Sequence, residues 1–164
     1  MEVRLLAEED RPWVAEACRR HFGGETVVAC GRVHRPARLP GLVAWEAGRR
    51  AGALSFREEP GGAEVVLLIG DPPGRGAGSA LLNGLCALGT ERGWARLRLL
   101  VTNDNTAALR FYQRRGWDLV ALHVAEVDRD RRLKPEIPGR GADGIPIRHL
   151  VELQHVLAPP GEAG

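Results

Sequence analysis

Cysteine, lysine, tyrosine and methionine are scarce in this 164-residue chain: three, one, one and one respectively. Cys18, Cys30 and Cys86 are too few and too widely spaced for a disulfide scaffold or a zinc site, which points to a reducing cytoplasm. Of the 23 cationic residues only Lys134 is a lysine, which removes any mechanism needing a lysine elsewhere. The basic residues are spread along the chain and the net charge is only +2, without the clustered basic stripe of a nucleic-acid binder. The longest apolar runs, residues 65–69 and 97–101 with its Arg98, fall far short of the ~20 residues a membrane span requires. The opening MEVRLLAEED has no basic start followed by an apolar stretch, so no secretion signal is expected.

What is present is ordinary for a globular protein, with 44% apolar and 27% charged residues. A chain of this length buries roughly two-thirds of its unfolded surface and needs no staple to stand up. One domain over residues 1–157 is expected, followed by a disordered tail at 158–164, APPGEAG from residue 158 onward.

Spacing predicts a strand over 3–6, then a helix opened by Asp10 and Pro12 with Val14, Ala17, Cys18 and Phe22 on its apolar side. Residues 26–30 read as a brief strand and 32–40, RVHRPARLP, as a loop. Strands at 42–47, 51–57 and 63–69, joined by short glycine-containing turns, make an antiparallel meander. Residues 70–78 are rich in glycine and proline, and 79–92 is helical with Leu81, Leu82, Leu85 and Leu88 on one side. A strand at 95–101, a helix at 106–115 and a strand at 117–124 follow. The end, GIPIRHLVELQHVL, fits a helix through Leu150, Leu153 and Leu157 about as well as a strand through Val151 and Leu153; strand is chosen. The whole order implies a mixed α/β sheet.

Chemistry concentrates in two places. In the first, VVLLIGDPPGRGAGSALL, a strand runs into a glycine loop and then a helix. The first turn of a helix carries N–H groups without intrahelical partners, and these suit a pyrophosphate. Gly74, Gly76 and Gly78 let the backbone approach such an anion, and Arg75 adds a positive charge. The same glycines would equally serve a tight strand-to-helix turn. A Walker loop is excluded because no lysine is present. A dinucleotide fingerprint is weak, because the loop follows a meander and Asp104 comes too late.

The second place is NDNTAALRFYQRRGW, residues 103–117. Asn103, Asp104 and Asn105 are N-cap candidates, and the small Ala107 and Ala108 let something lie close against the first turn. Tyr112 is the only tyrosine, and Gly116 stands where a helix C-cap is expected.

With both segments in view, the sequence resembles the GNAT superfamily of N-acetyltransferases. That family's cofactor loop has the form Gln/Arg-x-x-Gly-x-Gly/Ala, matched by residues 73–78 except that Pro73 stands where Gln or Arg is usual. Its next unit reads N-x-x-A-x-x-F-Y-x-x-x-G-F, matched by Asn105, Ala108, Phe111, Tyr112, Gly116 and Trp117. The closing segment is similar to one bacterial subgroup, with His149 and Leu150 where acidic residues are typical there.

The resemblance implies an α/β (α+β) fold with a mixed, mostly antiparallel central sheet of about six to seven strands flanked by helices. It implies acetyl transfer from acetyl-CoA to a primary amine of a small molecule or peptide in a cytoplasmic protein. No metal, nucleic acid or membrane is expected as a partner, and a homodimer is compatible because dimers are frequent in the family. Tyr112 would be the proton donor to the departing thiolate. Glu64 would be the base through a water, with a solvated strand end as the competing reading; His123 and Asp104 are weaker alternatives. Leu68 and Ile69 would pair with the pantetheine arm, and Gly74, Arg75, Gly76, Ala77, Gly78 and Ser79 would hold the pyrophosphate. Asn105 and Ala108 would lie near the pantetheine. An acyl-CoA sensor without catalysis, or an interaction module whose glycines merely turn, are the competing functions.

Overall fold

A computed structural model describes residues 1–159. The tail expected at 158–164 lies, from residue 160 onward, outside the described residues. In chain order the first half comprises β1 (Glu2–Leu5), α1 (Arg11–Phe22), β2 (Val27–Ala29), β3 (Arg32–His34), β4 (Gly41–Glu46), β5 (Arg49–Glu59) and β6 (Gly62–Gly70). The second half comprises α2 (Ala77–Glu91), β7 (Arg96–Thr102), α3 (Thr106–Gln113), β8 (Asp118–His123), α4 (Glu126–Asp130) and β9 (Leu150–Val156). Seven strands form one sheet in the order β1-β4-β5-β6-β7-β9-β8, and β2 with β3 forms a separate ribbon. The sheet is mostly antiparallel, as expected, and the closing segment is a strand, as chosen. The described residues fall into two compact units.

Among the described residues the first unit takes 1–26, 35–97 and 156–159. β1, β4, β5 and β6 are antiparallel neighbours, with a bulge in the β4–β5 pairing and another in the β5–β6 pairing. Leu54, Phe56, Leu67, Leu81 and Leu85 are fully buried in its core. Leu81, Leu82 and Leu85 come from the predicted apolar side of α2. In α1, Val14, Ala17 and Cys18 are buried, but Phe22 is 43% exposed. Phe22 is the last residue of the helix, and Gly23 in the left-handed region (φ 72°) turns the chain immediately afterwards.

The second unit takes residues 27–34 and 98–155. The loop expected at 32–40 is corrected here: Arg32–His34 is a strand paired antiparallel with β2, and Pro36–Arg38 is a short 3-10 turn. Cys30 and Gly31 both take left-handed backbone (φ 50° and 72°), a two-residue hairpin turn without the usual Asn-Gly signature. Asp130, 1% exposed, supplies what the turn's sequence does not. Its carboxylate accepts the N–H groups of Cys30 at 3.0 Å and Gly31 at 2.8 Å. The short α4 that carries it was not foreseen, because its five residues hold a single buried apolar side chain, Val127. Val127, Ile147 and Leu150 form this unit's local core.

Candidate active site

In the first unit, β6 leads into the glycine loop. α2 begins at Ala77, two residues before the expected start at Ser79, because Gly76 (φ 87°) serves as N-cap. Gly76 has no side-chain oxygen to offer, so the N-cap residue itself does not cover the first-turn N–H groups. Gly74 (φ 80°) is also left-handed, and a Cβ at either glycine would meet nothing within 4 Å. The loop is thus held by backbone conformation and is open on its outer side. The Asp71 carboxylate anchors its start through an ion pair with Arg20 at 2.7 Å. Arg75 is 63% exposed, with Nε 3.9 Å from the Glu46 carboxylate. The buried Ala77 fits beneath because Gly52 and Gly70 face one another across β5 and β6. A Cβ on Gly52 would stand 3.0 Å from the Ala77 Cβ.

Leu68 and Ile69 pair with Leu54 and Ala53 just before the loop. Glu64 stands at the far end of the same strand, about 17 Å from Ile69 at ~3.4 Å per residue. It is not a solvated strand end: it is 5% exposed, and Arg57, its cross-strand partner, donates to Oε2 at 3.0 Å. The Glu59 carboxylate lies 3.4 Å from the same guanidinium.

In the second unit, Asn105 is the N-cap of α3, its Oδ1 accepting the Ala108 N–H at 3.1 Å. Its Nδ2 has no partner among the described residues. Tyr112 is 8% exposed, edge-on to Phe111 with ring centroids 5.1 Å apart. Burial pushes its phenol well above the ordinary tyrosine value, so it stays protonated throughout the neutral range. α3 ends at Gln113 with Arg114 as C-cap; Gly116 (φ 81°) comes two residues later, completing the turn that brings the Trp117 N–H to the Tyr112 carbonyl at 3.2 Å.

The two weaker candidates are occupied differently from each other. Asp104 is not the cap; its Oδ2 accepts the Ala142 N–H at 3.3 Å, and its buried Oδ1 has no partner among the described residues. His123 lies with Nε2 3.0 Å from Glu152, which Arg98 approaches to 3.9 Å. Sequence reasoning missed Glu152, because only the β8–β9 register brings it beside His123. It also missed Asn103, whose Oδ1 accepts the N–H groups of Arg148 and His149, both at 2.9 Å, while Nδ2 donates to the Pro146 carbonyl. No motif signals that role. Among the described residues no group of three or more His, Cys, Asp or Glu side chains is placed to hold a metal ion, and no helix is long and apolar enough to cross a membrane.

The model of the Acetyltransferase (GNAT) family matches residues 4–117, which include the glycine loop and α3. The chain is 32% identical over 149 residues to YxbD, an uncharacterized protein of Bacillus subtilis, covering 90% of this chain and 94% of that one. It is 31% identical over 139 residues to YdhI of the same organism, covering 84% and 87%. A Bacillus subtilis acetyltransferase crystallised in complex with CoA shares the fold at a TM-score of 0.69 and 15% identity, covering 96% of this chain and 99% of that one. The protein belongs to the GNAT family of acetyltransferases.

Proposed function

We propose that the protein moves the acetyl group of acetyl-CoA to a primary amine of a small molecule or peptide, with residues 1–157 acting as one N-acetyltransferase domain. The observation that carries this reading is the β6–α2 junction: left-handed Gly74 and Gly76 lead into a helix start whose N-cap residue has no side chain to cap it, in a member of this family. Main-chain N–H groups from Gly74 to Ser79 hold the pyrophosphate, Arg75 adds charge, and the backbone of Leu68 and Ile69 pairs with the pantetheine arm. Ala108 leaves room for that arm, and the unpartnered Nδ2 of Asn105 is the donor available to it.

An alkyl amine is mostly an ammonium ion at neutral pH, with a pKa of about 10, so one proton must leave before the nitrogen can attack the thioester carbonyl. Glu64 takes that proton through a water. The C–N bond then forms and the C–S bond breaks; Tyr112 gives the thiolate its proton and is reprotonated as the nitrogen loses its second. The balance is ammonium plus acetyl-CoA to amide, CoA thiol and one proton. Tyr112 keeps its proton throughout the neutral range, the state a donor must be in, although burial makes it a weaker acid than an exposed phenol.

Release of CoA thiol with a panel of amines tests the reading. Tyr112→Phe is expected to lower kcat about a hundredfold while leaving acetyl-CoA affinity unchanged. Tight acetyl-CoA binding without thiol release on any amine would instead indicate an acyl-CoA sensor.

A further inference from the structure

Asp71 is an acid at the root of the loop that receives a diphosphate in the proposed function. It follows β6 directly, and its N–H donates to the Ala51 carbonyl at 2.9 Å, which fixes its backbone. Pro72 and Pro73 carry no N–H, so the next donors along the chain are the amides of Gly74 and the residues after it. A free aspartate side chain readily accepts from backbone N–H groups a few residues away. Those amides are the ones assigned to the pyrophosphate.

The charges around the loop point the same way. Asp71 and Glu46 bring two carboxylates, whereas Arg75, with Nε 3.9 Å from the Glu46 carboxylate, brings one guanidinium. That imbalance alone would repel a diphosphate. Arg20, in the last turn of α1, supplies the second cation: its Nη2 donates to Asp71 Oδ2 at 2.7 Å. Neither residue makes another ion pair among the described residues. The neighbouring Arg19 cannot stand in, because Glu16 at 2.7 Å and Glu25 at 3.0 Å already engage it. Arg20 and Asp71 belong to the same compact unit.

We propose that Arg20 is a positioning residue for the coenzyme: by holding and neutralising the Asp71 carboxylate, it keeps an intramolecular anion off the amides from Gly74 to Ser79. The proposal rests on the pyrophosphate being bound there, and it gives Arg20 a part without any contact with the coenzyme. A carboxylate tethered beside the site competes at a high effective concentration. An ion pair this exposed adds little to folding stability, so its loss is read in coenzyme binding and not in melting.

Calorimetric titration of CoA into the full chain and its variants tests the proposal. Arg20→Gln should raise Kd about five- to tenfold and KM for acetyl-CoA by the same factor, with kcat at saturation little changed. Arg20→Lys keeps the charge and should recover most of the loss. Asp71→Asn should bind CoA at least as tightly as the wild type, and adding Arg20→Gln to it should change Kd by less than about twofold. Thermal melting should show all four variants folded. A loss in Asp71→Asn as large as in Arg20→Gln would mean that the pair merely braces the loop, and would overturn the assignment. An equal loss from Arg20→Gln in both backgrounds would mean direct contact with the coenzyme, and would overturn it too. A wild-type chain that takes up no CoA would sink the proposed function first, and this assignment with it.

Discussion

The phenol ring of Tyr112 lies 5.5 Å from the indole of Trp117, tilted by 59°, and that indole stacks on the imidazole of His155 at 5.5 Å. The phenol is thus walled by rings as well as by its own helix, and desolvation raises its pKa. Because the chain has one tyrosine, its titration can be read without assignment. Ultraviolet absorbance should show no tyrosinate at the pH of about 10 where an exposed phenol ionises, and should show it at once on unfolding. The sign for stability follows. The unfolded phenol releases its proton near that pH while the folded one keeps it, so stability falls as pH rises above about 10 and is untouched by this group below it. Tyr112→Phe should remove that part of the alkaline loss, as chemical denaturation at a series of pH values would show.

The proximity of Arg75 to Glu46 bears on the coenzyme. Both side chains are substantially exposed, and the carboxylate partly offsets the charge that Arg75 brings to the glycine loop. Glu46→Gln should therefore tighten CoA binding by about two- to fivefold and Arg75→Gln should weaken it by a similar factor. Calorimetric titration at low and high salt separates this from a packing effect, because an exposed electrostatic contribution shrinks as salt rises.

How much of this was legible beforehand depended on the reach of the interaction. The meander was readable because its signal is local: alternation along β4, β5 and β6, with turn residues between them. The glycine loop and α3 were readable for the same reason, and of the three N-cap candidates Asn103, Asp104 and Asn105 it is Asn105 that caps, through the Ala108 N–H. The β2–β3 ribbon was not, because its turn is held by Asp130, about a hundred residues away in the chain. Glu64 shows the other failure. The competing reading of a solvated strand end fails, because the register sets Arg57 opposite and makes a partly buried ion pair. The partner of His123 likewise became visible only once strand pairing was known.

Gly52 is a packing requirement. A Cβ there would come to 2.5 Å of the Ile69 carbonyl oxygen and 3.0 Å of the Ala77 Cβ, so β6 or the start of α2 must move. Gly52→Ala should cost about 1–3 kcal/mol in denaturant unfolding, the usual range for overpacking. On the proposed function it should also weaken CoA binding, because Ala77 opens the helix whose N–H groups face the pyrophosphate. A variant equally stable and equally tight would show that the junction yields freely.

The Asp130 carboxylate closes the β2–β3 turn, and removing it takes away the acceptor of two backbone N–H groups. Hydrogen bonds to a charged group contribute about 1.5–3 kcal/mol each, and water can reach an exposed turn, so Asp130→Ala should cost about 2 kcal/mol in total. Asp130→Asn keeps one carbonyl-type oxygen and should lose roughly half as much. Cys30 adds an opposing lever: a left-handed backbone disfavours a residue with a Cβ, so Cys30→Gly should recover a fraction of a kcal/mol. Amide exchange locates the effect. In Asp130→Ala the amides of Cys30 and Gly31 should exchange faster while those of β5 and β6 keep their wild-type rates. Uniform acceleration across the chain would instead mean that the ribbon is coupled to the global unfolding of the protein.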